Sequence, residues 1–405
     1  MEGHPNADVA GSAAKAAQNL EGSRLARDPN LHIVFAVTLV AVMGVSSLTP
    51  AFPAISRALG VSSRQVGLLI SVFTVPGVIL APVLGVLADR WGRKRVLVPS
   101  LFLFALAGAS CAFARDFQVL LGLRLLQGVG AGALSALNMT ILSDLFTGHA
   151  RTTAMGYNSS VLSVGTASYP AIGGALAGVA WYLPFFLPLA ALPVAILVAT
   201  RLKSPVPARQ LGLRQHLSET LAAARDRRVI SAFLAAMLAF IVIFGPYLTF
   251  VPILMDRRFG ASSLAIGLLF SLGALSSAAA SARLGRVARR VPVTRLVAFG
   301  FVAYTVVLTA IILVPRPWML TLPVALFGMA NGMAIPSLFT WLMGLVADEH
   351  RAAILALNGS VLRLGQTLGP LVGSALLVAG GLEAVFLGVA LLTAGMAVYM
   401  SRAMR

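Results

Sequence analysis

Two arginines, Arg124 and Arg363, lie well inside long apolar stretches of this 405-residue chain. A guanidinium stays charged and presents a planar fork of donors, so its chemistry is recognition of carboxylate, phosphate or carbonyl oxygen rather than proton release. No acid accompanies them: all thirteen Asp and Glu residues fall in tails, loops or at the ends of apolar runs. The one cysteine, Cys111, cannot form a disulfide within the chain. No His or acid pair has metal-ligand spacing, so neither a metal nor another cofactor is expected. The phosphate cradle GxxxxGK[ST] is missing, which leaves ATP-driven chemistry unsupported. No nucleophile or acid–base pair sits in mid-stretch, and an enzyme is not expected.

The elements that must position these arginines follow from composition. The chain is 58% hydrophobic and 11% charged, far from the quarter or so of charged residues usual in a soluble domain. That places it in a lipid bilayer. Basic residues outnumber acidic ones 31 to 13, but they sit in short loops between apolar runs, which argues against nucleic acid as a partner. A membrane span needs about 20 apolar residues, and twelve fit: 31–56, 66–88, 96–114, 118–145, 153–178, 180–200, 229–255, 264–286, 294–314, 318–346, 352–379 and 382–401. Arg and Lys crowd the loops at 90–95, 201–228 and 283–295. That bias puts both termini in the cytoplasm. The expected division is a tail at 1–30, a six-helix bundle at 31–200, a linker at 201–228 and a second bundle at 229–405.

The halves are copies offset by 200 residues. NSSVLSVGTASYPAIGGAL at 158–176 matches NGSVLRLGQTLGPLVGSAL at 358–376, and RALGVSSRQVGLL at 57–69 matches RRFGASSLAIGLL at 257–269. Prolines, glycines and asparagines kept at one fixed offset mark an internal duplication. A parallel repeat of this kind is one way to build a secondary transporter, with the substrate near the midplane between halves that rock around it.

The stretch GVLADRWGRKRVL at 85–97 resembles the loop signature between helices 2 and 3 of the major facilitator superfamily, through Gly85, Leu87, Asp89, Arg90, Gly92, Arg93 and Lys94. LRLLQGVGAG at 123–132 is similar to its helix 4 signature, and Gly165, Pro170, Gly173 and Gly174 to the helix 5 signature of drug:proton antiporters. Tyr169 stands where that pattern has glycine, whereas the second copy reads Gly369–Pro370. The resemblance implies an all-α fold of twelve transmembrane helices in two six-helix repeats. It implies hinges at Gly165, Pro170, Gly173, Gly365, Gly369 and Pro370, and a part for Arg124 in proton transfer, exerted through a neighbour or a water. It also implies a latch: Gly85 lets helix 2 approach a neighbour closely, while Asp89 bonds Arg93 and faces the N-terminus of helix 11. Arg90, Gly92 and Asp144 complete the set, with Asp144 a further partner for Arg93. In the repeat the acid is lost, since Asp89 becomes Arg289 and Gly92 becomes Pro292.

Arg363 lies eleven residues into its span, roughly 16 Å deep. It either meets an anionic or carbonyl-bearing substrate or bonds carbonyls freed near Pro370. Asn138, Asn158, Tyr247, Asn331, Trp341, Asn358 and Gln366 are further cavity candidates, each equally able to bond between helices. Many proton antiporters of the family carry a helix 1 carboxylate; here VSSLTPAFP at 45–53 has none. The expected activity is efflux of small amphipathic molecules in exchange for protons, by a monomer in a bacterial inner membrane. The alternatives are an importer or facilitator of an organic anion centred on Arg363, and a non-transporting receptor or scaffold.

Overall fold

Backbone amides have no water to bond in a bilayer core, so a spanning chain of this composition must close its hydrogen bonds within helices. The computed structural model describes Leu25 and residues 27–203, 226–347 and 350–403. Most of the expected tail and linker lies outside these residues. The described chain is helical, with no strand among the described residues. Its rods are α1 (Pro29–Ala58), α2 (63–91), α3 (Arg93–Phe113), α4 (Phe117–Leu145), α5 (Gly148–Val179) and α6 (Leu183–Arg201). They continue as α7 (Arg227–Phe259), α8 (Ser263–Val287), α9 (Val293–Leu313) and α10 (Pro317–Gly344). The last helical run, Arg351–Ala403, breaks at Gly380 and Gly381 into α11 (351–379) and α12 (382–403). Each rod ends within about five residues of its expected boundary, the usual margin for boundaries read from sequence.

The caps repeat with the sequence. Ser62 and Ser262 accept bonds from Gln65 N and Ala265 N and start α2 and α8. Each follows a turn whose glycine, Gly60 or Gly260, has φ near +60° (62° and 60°), a region that only glycine enters freely. Three acids serve as caps: Asp28 accepts from Asn30 N, Asp116 from Gln118 N and Val119 N, and Asp226 from Arg228 N. Each satisfies an orphan donor of a first turn and so has a structural use.

Small residues let rods touch backbone to backbone. Gly128 of α4 packs on the Phe73 backbone of α2, and its copy Gly328 of α10 packs on Gly273 of α8. Gly132 rests on Gly77, and its copy Gly332 on Ser277. The duplication therefore extends to individual helix contacts.

Call the edge that carries the 85–97 loop the basic end and the opposite edge the far end. A single apolar cluster crosses between bundles at the far end, joining Phe52, Ile55 and Leu69 to Phe250 and Leu254. Another is confined to the first bundle.

Candidate functional site

Two seams join the bundles, and they are images of one another. In one, α2 meets α11: a methyl on Gly67 would lie 3.2 Å from Pro370 Cβ. In the other, α8 meets α5: Gly267 abuts the Pro170 backbone. Positions 67 and 267, like 170 and 370, are 200 apart. The seams differ in chemistry. In the first, Ser71 Oγ donates to Thr367 O at 2.8 Å, and the Thr74 and Thr367 hydroxyls meet at 2.8 Å. Thr367 aligns with Ala167 and Thr74 with Ala274, while Ser71 aligns with Ser271, so the second seam lacks the two threonine hydroxyls.

Both seams hold at the far end. A side chain added at Gly85 or Gly285, or at Gly156 or Gly359, would meet open space. These four lie on α2, α8, α5 and α11, the rods that form the seams. Among the described residues, side-chain bonds between bundles are Arg57–Asp256, Ser374–Arg64 and those of Thr367 to Ser71 and Thr74, and each lies in the far half of the molecule or near the middle. The arrangement is a cleft between bundles, closed at the far end and open at the basic end.

In this state the latch residues stand apart from the second bundle. Gly85 has no close neighbour, and Asp89 bonds Arg93 on its own loop at 3.1 Å rather than reaching α11. Arg93 is buried and also pairs with Asp144 of α4. Both acids thus close within the first bundle, because the basic ends of the bundles are apart. Gly92 has φ of +96°, which fixes the turn that brings Arg93 inward. Arg90 is exposed.

Arg124 is 1% exposed, and its donors are used. Nε donates to Leu69 O at 3.2 Å, Nη1 to Gln127 Oε1 at 2.7 Å and Nη2 to Gly44 O at 3.1 Å. Its guanidinium also lies 4.2 Å from the Phe73 ring centre. Such a set ties α1, α2 and α4 together; no acid is paired with it among the described residues. The amides divide as well. Asn138 donates to Thr38 Oγ1 and Thr38 Oγ1 meets Asn158 Oδ1, both at 2.5 Å, which links α4, α1 and α5. Asn358, the copy of Asn158, has a buried side-chain oxygen with no hydrogen-bond partner among the described residues. It lines a small apolar pocket with Ala236, Leu338 and Leu362. Asn331 accepts from Tyr304 at 3.2 Å.

Tyr247 is not in the cleft: it is buried, with its ring stacked on Phe327 at 4.1 Å. It belongs to a helix stretch, Ile243–Phe250, wound in π geometry around Pro246. Trp341 packs partly buried against the second bundle's apolar clusters, and Gln366 is half-buried on α11. The glycines expected to be hinges are contact points. Gly173 meets the Ser47 backbone of α1, and Gly165 faces Leu39; Gly365 meets Met237 and Gly369 meets Gly245, both of α7.

Arg363 differs from Arg124. It is half-buried, rests against Gly77 of α2, and has neither a hydrogen bond to its guanidinium nor an ion pair among the described residues. Successive contacts along the seam run Gly67–Pro370, Ser71 and Thr74–Thr367, then Gly77–Arg363. Arg363 is the last of them toward the basic end among the described residues.

Sequence reasoning missed two features. Gly77 carries no motif. Arg57 and Asp256 pair across the far end at 2.5 Å. The repeat register hides that pair, because it aligns Arg57 with Arg257 and Asp256 with Ser56.

Comparison with known proteins agrees with this architecture. The Bacillibactin exporter of Bacillus subtilis (strain 168) is 34% identical over 163 residues, spanning 38% of this chain and 40% of that protein. Multidrug resistance protein 2 of the same organism is 24% identical over 85% of this chain and 88% of its own. The crystal structure of the nucleoside transporter NupG superposes with a TM-score of 0.77 at 15% identity, covering 93% of this chain and 99% of that one. The model of the Major Facilitator Superfamily matches residues 34–308 and 233–404. The chain is a multi-pass membrane transporter and belongs to the Major Facilitator Superfamily.

Proposed function

We propose that this transporter exports small amphipathic molecules by alternating access, in exchange for protons, working as a monomer in a bacterial inner membrane. Both termini, the basic end and the 201–228 linker between bundles 31–200 and 229–405 are cytoplasmic, as the loop charges favour. The observation that carries the alternating-access part of the reading is the cleft, sealed at the far end by two seams and open at the basic end, a state that can take up substrate from the cytoplasm. The names of relatives, an exporter and a multidrug resistance protein, support the same direction. In the alternate state the far end parts and the basic ends meet. There Asp89, Arg90, Gly92, Arg93 and Asp144 form the closing set, and the glycines and prolines of α5 and α11 take up the motion. The acids open to proton exchange are Asp89, Asp144 and Asp256, all at helix ends.

The test uses purified protein in sealed liposomes under an imposed pH gradient, with internal pH followed as cationic, neutral and anionic compounds are added. Substrate-triggered proton movement supports antiport; flux with no proton movement removes that part of the proposal. A second reading, a facilitator of organic anions, is favoured by Arg363, whose guanidinium has no partner among the described residues, and uptake of anions without proton movement would select it.

A further inference from the structure

We infer that Arg363 is the binding site for an anionic group of the substrate, a carboxylate or sulfonate on an amphipathic body, and that Gly77 is the notch that parks its guanidinium when the site is empty. This deepens the transporter reading above and rests on it.

The argument begins with the contrast between two deep cations. Arg124 has its charge spread over three hydrogen bonds and an aromatic face. Arg363 lies twelve residues from the start of its helix run, about 18 Å along the axis and near the middle of a hydrocarbon core of about 30 Å. Its guanidinium has no partner among the described residues. A half-buried charge at mid-membrane depth with no counter-ion among the described residues is a candidate binding site by default, because such charges are costly to keep and face a polar cavity.

Its position says what completes it. Arg363 is the contact of the α2–α11 seam nearest the basic end among the described residues, where it borders the cleft. A ligand entering from the basic end meets this guanidinium at the end of its path. No carboxylate among the described residues pairs with it, so a loaded cleft is neutralised only by charge brought on the substrate. The planar fork suits a bidentate oxyanion.

The notch gives the charge a resting place. A methyl on Gly77 would fall 3.0 Å from the Arg363 Cζ, and Gly132 presses on Gly77 from behind. The repeat shows that neither part is inherited scaffolding: Gly77 aligns with Ser277 and Arg363 with Ser163. Drawing the guanidinium out of the notch removes the innermost contact of a seam whose next link is Thr74–Thr367. Anion binding thereby loosens the closure that must open for release.

The experiment measures binding of two probes that differ by one charged group, anilinonaphthalene sulfonate and phenylnaphthylamine, to the full chain in nanodiscs, with empty nanodiscs subtracted. The sulfonate should bind at least about tenfold more tightly than the neutral amine, the lower end of what a charge-assisted hydrogen bond contributes. Arg363→Ala and Arg363→Gln should both abolish that preference, and Arg363→Lys should retain part of it. Gly77→Ala displaces the guanidinium into the cleft and should keep or increase the preference. Equal binding of the two probes by the wild type, or a preference that survives Arg363→Ala or Arg363→Gln, overturns the inference. The transporter reading fails separately, as absence of flux of any compound in sealed liposomes while the binding preference persists.

Discussion

Replacing Gly267 by alanine should drive the far end open. The added methyl would lie 2.9 Å from the Pro170 carbonyl carbon and 3.1 Å from Ala171 Cα. These are backbone atoms of a helix and cannot rotate aside, so α8 and α5 must separate. Overpacking of this kind costs about 1–3 kcal/mol. Charged only to the closed state, that shifts the ratio of far-open to far-closed molecules by about 5- to 160-fold. The repeat-related Gly67→Ala is the internal control. Its methyl would meet Thr249 Cγ2 at 3.0 Å and Pro370 Cβ at 3.2 Å, distances that a shift of a few tenths of an ångström relieves, so the effect should stay below about threefold. The assay introduces Ser271→Cys, one turn from Gly267 and buried at 9% exposure, and follows its labelling by a maleimide that cannot cross the membrane. The native Cys111 is fully buried and contributes little background. Labelling should accelerate at least about fivefold with Gly267→Ala. An unchanged rate in a folded protein, or equal effects at both glycines, would refute the claim that backbone fit in this seam holds the far end shut.

The Arg57–Asp256 pair should matter less than the seams, since Arg57 is 64% exposed and Asp256 23%. A surface pair contributes about 0.2–1 kcal/mol, so Asp256→Asn should raise the same labelling rate by no more than about fivefold, and the double exchange Arg57→Asp/Asp256→Arg should restore it. Arg124→Ala leaves the Leu69 and Gly44 carbonyls without their donor. At about 1–3 kcal/mol for each buried group, the melting temperature in detergent should fall by several degrees, and lysine should not rescue it, because one ammonium cannot serve three rods; a stable but uncoupled variant would contradict the tether. Asp89→Asn should slow turnover while membrane insertion, followed by yield of folded protein, stays intact; unchanged turnover removes Asp89 from the closing set.

Hydropathy was enough to place the rods other than α5, because lipid leaves a backbone no other way to satisfy itself. Even α5, which carries Asn158, Ser159, Ser160 and Ser163 and is not among the ten stretches that pass on length and apolarity, was legible through its match to α11. The break at Gly380–Gly381 was legible as a loop between two spans. What sequence could not supply is pairing. Asn138 and Asn158 were visible as amides, but their meeting at Thr38 depends on three helices converging. Tyr247 read as a cavity residue because a phenol in a span suggests recognition, yet three aromatic neighbours enclose it in the core, directly or one ring away. The latch residues were found, but their partners depend on which end of the cleft is open, and that is a property of a state rather than of a residue. Arg57–Asp256 needed contact between positions that the repeat assigns to different partners.

The notch at Gly77 and the charge at Arg363 come from opposite copies of the duplicated unit, and their counterparts are both serine. A tandem built from two first halves would keep both glycine–proline seams but hold two notches and no cation. One built from two second halves would hold two cations, each facing a serine hydroxyl instead of empty space. Only the mixed chain has one of each. The ancestral symmetry survives in the seams, where Gly67 on Pro370 mirrors Gly267 on Pro170, and has been given up at positions 77 and 363, where one half supplies the space and the other the charge.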